Sequence, residues 1–91
     1  MGTGHGPIDS WRDELTSEHT YKIVELVGSS GESIQAAVDN AIARASQTLR
    51  HLDWFEVKEI RGAIKDNSAS WYQVKVGIGF QIVDAEDIHR E

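Results

Sequence analysis

Apolar and polar residues follow two different periods along this chain, and the changes of period divide it into elements. Tyr21 to Val27 (Tyr-Lys-Ile-Val-Glu-Leu-Val) is β-branched and aromatic and stops at Gly28-Ser29-Ser30-Gly31, which predicts a strand followed by a turn. From Ile34 the apolar positions recur at Ala37, Val38, Ala41, Ile42, Ala45, Leu49 and Leu52, spacings of three and four that mark one face of a helix. Ser29 and Glu32 have the spacing of a capping box, and Ala36, Ala37, Ala41, Ala43 and Ala45 add intrinsic helix preference. Trp54 to Lys65 and Ala69 to Val83 then read as two long strands joined at Asp66-Asn67-Ser68, a β-hairpin. In the second of these Tyr72, Val74, Val76, Ile78, Phe80 and Ile82 point one way, and Trp71, Gln73, Lys75, Gly77, Gly79 and Gln81 the other. In the first, Phe55 and Val57 alternate with Trp54, Glu56 and Lys58, whereas Ile60 and Ile64 fall on the opposite parity. A bulge is therefore expected between Lys58 and Arg61.

The order strand, helix, strand, strand predicts an α+β fold of β-α-β-β type. A right-handed crossover sets the first two strands parallel with a gap between them, and the last strand fills that gap antiparallel to both. The expected sheet is three-stranded, antiparallel in its pairing and ordered 1-3-2, with the single helix on one face. The other face carries Trp54, Trp71, Gln73 and Lys75 and has no partner within the chain, so an oligomer or a ligand is expected to cover it. Residues 1–18 open on a glycine-rich, proline-containing stretch and are expected to form a flexible extension. Within it, Asp9 to Glu18 has the makings of a short helix with Trp11 and Leu15 one turn apart. The domain is expected over 19–84, with a flexible tail at 85–91.

Composition narrows the function classes. The 91 residues suffice for one small domain, and a chain of this size buries only about 60–65% of its unfolded surface. With no cysteine, it has neither disulfides nor thiolate metal sites to compensate, and packing against copies of itself is the simplest remedy. Nine Lys and Arg against fifteen Asp and Glu give a net charge of −6, which disfavours nucleic acid and anionic membranes as partners. No apolar run approaches the roughly 20 residues that cross a bilayer, and the first residues lack a signal-peptide pattern, so a cytoplasmic location is expected.

Few residues offer chemistry. Trp54 begins its strand on the face away from the core, where an indole is either an interface residue or a stacking platform for a flat ring system. Gln73 lies on the same face, and its amide offers a donor and an acceptor to a heterocycle edge. With the turn centred near Asn67, cross-strand partners sum to about 134, placing Gln73 opposite Arg61 and Trp54 opposite Phe80. Trp54 and Gln73 then stand on the order of 20 Å apart along the ladder. If both serve one ligand, they do so across a subunit interface. His5, His19, His51 and His89 show no metal-ligand spacing, Gly28-Ser29-Ser30-Gly31 lacks the lysine of a P-loop, and no nucleophile pairs with a base and an orienter.

Leu52-Asp53-Trp54-Phe55-Glu56-Val57, Ile60-Arg61-Gly62, Tyr72-Gln73-Val74-Lys75-Val76 and Gly79-Phe80 resemble the dodecins, small flavoproteins that assemble into hollow dodecamers. The helix stretch Ala43-Arg44-Ala45-Ser46-Gln47-Thr48-Leu49 is similar to theirs as well. The resemblance covers His19 to Ile82 and includes the separation of 19 residues between Trp54 and Gln73. It implies a homododecamer in which Trp54 from two subunits sandwiches a stacked flavin pair, Gln73 hydrogen-bonds the isoalloxazine edge and Arg61 lies beside the ribityl chain. Trp54, Gln73, Arg61 and Glu59 are the candidate cofactor-binding residues. FMN, FAD or riboflavin is the implied cofactor, and coenzyme A a further candidate ligand. Gln81 stands where bacterial members often carry an arginine, which removes a charge from that secondary place. The implied function is non-catalytic storage and buffering of flavin, with photoprotection by electron transfer from Trp54. A flavin oxidoreductase with Glu56 or Glu59 as acid or base, and a structural shell binding coenzyme A or no ligand, are the alternatives.

Overall fold

The computed structural model describes residues 19–83 and 87–88. Its elements are β1 (Tyr21–Ser30), α1 (Ile34–Ala45), β2 (Leu52–Lys65) and β3 (Ser68–Gln81), and the sheet runs β1-β3-β2 with β3 antiparallel to both neighbours. This is the α+β architecture and the 1-3-2 order expected from the sequence. The extension at 1–18, with the helix expected over 9–18, lies outside the described residues.

Three boundaries differ from expectation, each for a local reason. β1 does not stop at Val27: Gly28, Ser29 and Ser30 continue the ladder opposite Val74, Gln73 and Tyr72. Gly28 is a strand residue because α1 lies directly on it, and a Cβ there would collide with the Ala37 carbonyl oxygen. The helix is capped by Ser33, not by the Ser29–Glu32 box. Ser33 is extended, and its hydroxyl accepts from the Ala36 N–H at 3.0 Å. Finally, α1 ends at Ala45, although the apolar period runs on. The Leu49 N–H still reaches the Ala45 carbonyl at 2.9 Å, which keeps Leu49 buried, and a left-handed His51 (φ 62°) then turns the chain into β2.

The hairpin uses a two-residue turn. Asp66 (φ 54°) and Asn67 (φ 65°) are both left-handed, as a type I′ turn requires, and Ser68 already belongs to β3. Along β2 the register on β3 shifts between Leu52 and Trp54, between Val57 and Glu59, and between Ala63 and Ile64. The bulge expected between Lys58 and Arg61 thus falls slightly earlier, with Lys58 itself as the inserted residue.

The core lies between α1 and the central strand. Val74, Val76, Ile78 and Phe80 of β3 pack against Ala37, Val38, Ala41 and Ala45 of the helix and Leu49 beyond it. The helix covers mainly β1 and β3. On the helix side of β2, Phe55, Val57, Ile60 and Ile64 are therefore 49%, 45%, 52% and 81% exposed. The sequence suggested open surface only on the polar face, but an apolar row on the helix side is open too. Of the tail expected over 85–91, Asp87 and Ile88 are held to the domain. The buried Asp87 carboxylate accepts from Arg50 Nη2 at 2.8 Å and from the Val83 N–H at 3.0 Å, while Lys22 Nζ donates to the Ile88 carbonyl at 2.7 Å.

The left-handed turn gives a direct check. Asn67→Val forces a β-branched residue into the left-handed region and should lower stability by about 1–2 kcal/mol, whereas Asn67→Gly should leave it unchanged. Denaturation midpoints of the two variants, compared with the parent, measure this.

Candidate functional site

Trp54 occupies a seat built for it. The inserted Lys58 places it opposite Gly79, and a further insertion at Asp53 puts Leu52 opposite Phe80, where Trp54 itself was expected. Its indole fills the volume a Cβ at Gly79 would need, so only glycine accommodates it. Tyr21, the first residue of β1, tilts its ring against the indole with centroids 6.3 Å apart, and its hydroxyl donates to Asp53 Oδ2 at 2.7 Å. The indole is thereby half-buried, where the sequence suggested an exposed one. Trp54 Nε1 is buried and finds no hydrogen-bond partner among the described residues, an arrangement that costs roughly 1–3 kcal/mol. The ring is held by shape rather than by its polar atom. A cavity of about 160 Å³ lined by Ile42, Leu52, Asp53, Trp54, Phe55 and Ile78 lies beside it.

The second group of residues sits farther along the same sheet face. Arg61 pairs with Gln73 across the β2–β3 ladder, as expected, and Arg61 Nε donates to Gln73 Oε1 at 3.1 Å. That bond fixes the orientation of the amide: the oxygen faces the guanidinium, and the Nε2 hydrogens are left to donate elsewhere. Glu59 lies 3.8 Å from Arg61 and 3.7 Å from Lys75, so it links the two cations in a partly exposed network. Such pairs add little to stability, but they restrain the side chains around Gln73.

The structure thus unites Gln73, Arg61 and Glu59 but leaves Trp54 apart from them. Gly79, opposite Trp54, is six residues from Gln73 on β3, about 20 Å of strand. A chemical role shared by both groups requires two subunits. Lys75 was expected on the same face as Gln73, but the sequence did not point to Tyr21 or to its hydrogen bond with Asp53 beside Trp54. The position of Tyr21 follows only from the register of β1 on β3, which no residue pattern fixes. A signal did exist for Gly79: glycine in a strand marks a close approach. Gly79 clears space for Trp54, and a Cβ on Gly77 would meet Lys58, Ile23 and Glu56. Gln81 touches His19 Nδ1 through its amide. Among the described residues no group of His, Asp and Glu is arranged to hold a metal ion, and no helix is long and apolar enough to cross a membrane.

Comparison with known proteins identifies the family and the fold. Residues 20–83 match the family model Dodecin. The dodecin of Thermus thermophilus is 58% identical over 62 residues, covering 68% of this chain and 90% of that protein. Among solved structures, dodecin from Streptomyces coelicolor superimposes with a TM-score of 0.70 at 47% identity, covering 77% of this chain and all (100%) of that one. Dodecin from Streptomyces davaonensis gives 0.68 at 46% identity, covering 75% and 100%.

The seat predicts its own disruption. Gly79→Ala should expel the indole and leave the rest of the sheet in place. In a background with Trp11 and Trp71 replaced by Phe, the emission of Trp54 should shift to longer wavelength while the far-UV circular dichroism stays unchanged.

Proposed function

The chain belongs to the dodecin family, and from that premise we propose that it stores and buffers flavin, holding FMN, FAD or riboflavin as stacked pairs between Trp54 side chains of neighbouring subunits in a homododecamer. The observation that carries this is the separation of the two residue groups. A rigidly seated indole and an oriented amide share one sheet face, yet lie too far apart to close a small pocket within one subunit. Two-fold pairing of subunits brings one copy's Trp54 toward the other's Gln73.

The chain's residues fit such a ligand. Trp54, backed by Gly79 and braced by Tyr21, offers a flat surface that loses little freedom when a ring covers it, so dispersion and desolvation act almost without an ordering cost. Gln73, with its oxygen turned to Arg61, presents its amide hydrogens to a ring carbonyl. Arg61 supplies positive charge for a phosphate on the ribityl chain. When bound, a flavin supplies a light-absorbing, redox-active ring system. A ring covered on both faces has no room for a substrate, and the nearby ionisable groups Glu59, Arg61 and Lys75 are engaged with one another. Sequestration follows from this arrangement better than turnover does, and an indole in van der Waals contact with the ring is placed to quench its excited state.

Assembly is supported by the apolar row on β2. Phe55, Val57, Ile60 and Ile64 face away from the polar network and need a cover that one helix does not provide. Val57→Glu should reduce the particle to smaller species in analytical ultracentrifugation. Trp54→Ala should keep the assembly and weaken flavin binding by about 2–4 kcal/mol, measured by quenching of flavin fluorescence. An unchanged affinity would remove the sandwich from consideration, and rapid turnover of electron acceptors by the reduced holoprotein would favour an oxidoreductase.

A further inference from the structure

Next to the Gln73–Arg61 pair stands a second indole that the flavin sandwich leaves unused. Trp71 lies two residues before Gln73 on the same face of β3, opposite Ala63 of β2, so the two side chains emerge about 7 Å apart. It is 49% exposed. The edge of its six-membered ring rests against Gly31, where an added Cβ would come within 2.7 Å of Cζ3. One side of the indole is therefore steadied by the chain just beyond β1, and the rest is open. Trp71, Arg61, Gly62, Ala63 and Gln73 line a cavity of about 250 Å³, many times the space an ordered water needs. On this face Ala63, opposite Trp71, carries only a methyl group.

These features define a ligand chemistry. An open indole face takes a flat heterocycle, and Arg61 beside it takes an anionic oxygen. The charge is complementary to phosphate, since Arg61 and Lys75 together outweigh Glu59 by one. With the flavin proposed above held at its ring edge by Gln73, Arg61 and Trp71 are the neighbouring side chains on the same cavity that the chain leaving the ring could meet. We infer that Trp71 stacks the adenine of a flavin dinucleotide whose pyrophosphate is met by Arg61, making this chain selective for FAD over FMN and riboflavin. This rests on the flavin-storage function and adds to it a second aromatic contact in the same site.

Equilibrium dialysis of the full-length assembled protein against FAD, FMN, riboflavin and ADP tests it, with Trp71→Ala, Trp71→Phe and Trp54→Ala alongside the parent. The parent should bind FAD roughly 5- to 150-fold more tightly than FMN, the range of one base stacked on an aromatic side chain. Trp71→Ala should abolish that preference with FMN affinity unchanged, and Trp71→Phe should retain most of it. Equal affinities for FAD and FMN in the parent overturn the inference. So does an equal loss of both in Trp71→Ala, or loss of assembly in both Trp71 variants, which makes the indole a contact between subunits. Binding of ADP that needs Trp71, with no FAD preference, assigns the pocket to a free adenine nucleotide instead. In each of these cases FMN binding that depends on Trp54 leaves flavin storage intact, whereas a parent that binds no flavin removes both.

Discussion

The pairing of β2 with β3, and in particular the insertion of Lys58 into it, governs which side chains meet on the outer face of the sheet. Side chains alternate strictly along a strand, so each inserted residue exchanges the two faces for everything beyond it. With Lys58 in place, Glu59, Arg61 and Ala63 fall on the face that already carries Trp54 and Glu56, opposite Lys75, Gln73 and Trp71. Without it, the residues from Trp54 to Val57 would exchange faces relative to Arg61, and Trp54 would leave the face that carries the polar network. The turn at Asp66-Asn67 and the register shift between Ala63 and Ile64 set the Arg61–Gln73 pairing, and the inserted Lys58 puts Trp54 on the same face as that pair.

A helix of 12 residues against strands of 14 explains the remaining surface. At about 1.5 Å per residue the helix spans roughly 18 Å, less than half of a fully extended strand of that length. It also lies over β1 and β3, where Gly28 lets the two backbones approach. β2 is left as an edge strand whose helix-side residues have nothing above them. The fold thus separates two tasks on one strand: its outer face carries the polar network and the indole, and its inner face offers apolar surface for association.

Much of this was legible in the residues. The switch from period two to period 3.6 and back gave the element order, and the Asp66-Asn67 turn set the hairpin register well enough to pair Arg61 with Gln73. The parity break at Ile60 announced a bulge. What the pattern concealed depended on contacts between distant segments. Ser33 caps the helix in place of Ser29 because β1 runs on to Ser30, which follows from its pairing with Tyr72. Trp54 is seated rather than exposed because the inserted Lys58 brings it over Gly79, and Tyr21 arrives beside it from the far edge of the sheet. The resemblance to dodecins pointed to Trp54 and Gln73; only the packing shows how each is held.

The uncovered row on β2 also bears on the life of a single copy. A subunit set free from its neighbours would carry Phe55, Val57, Ile60 and Ile64 on an unpaired strand edge, a surface that chaperones and proteases bind and that invites edge-to-edge clumping. Loose copies would be short-lived, and the amount of intact particle would depend on how quickly newly made chains find one another, tying supply to the rate of synthesis.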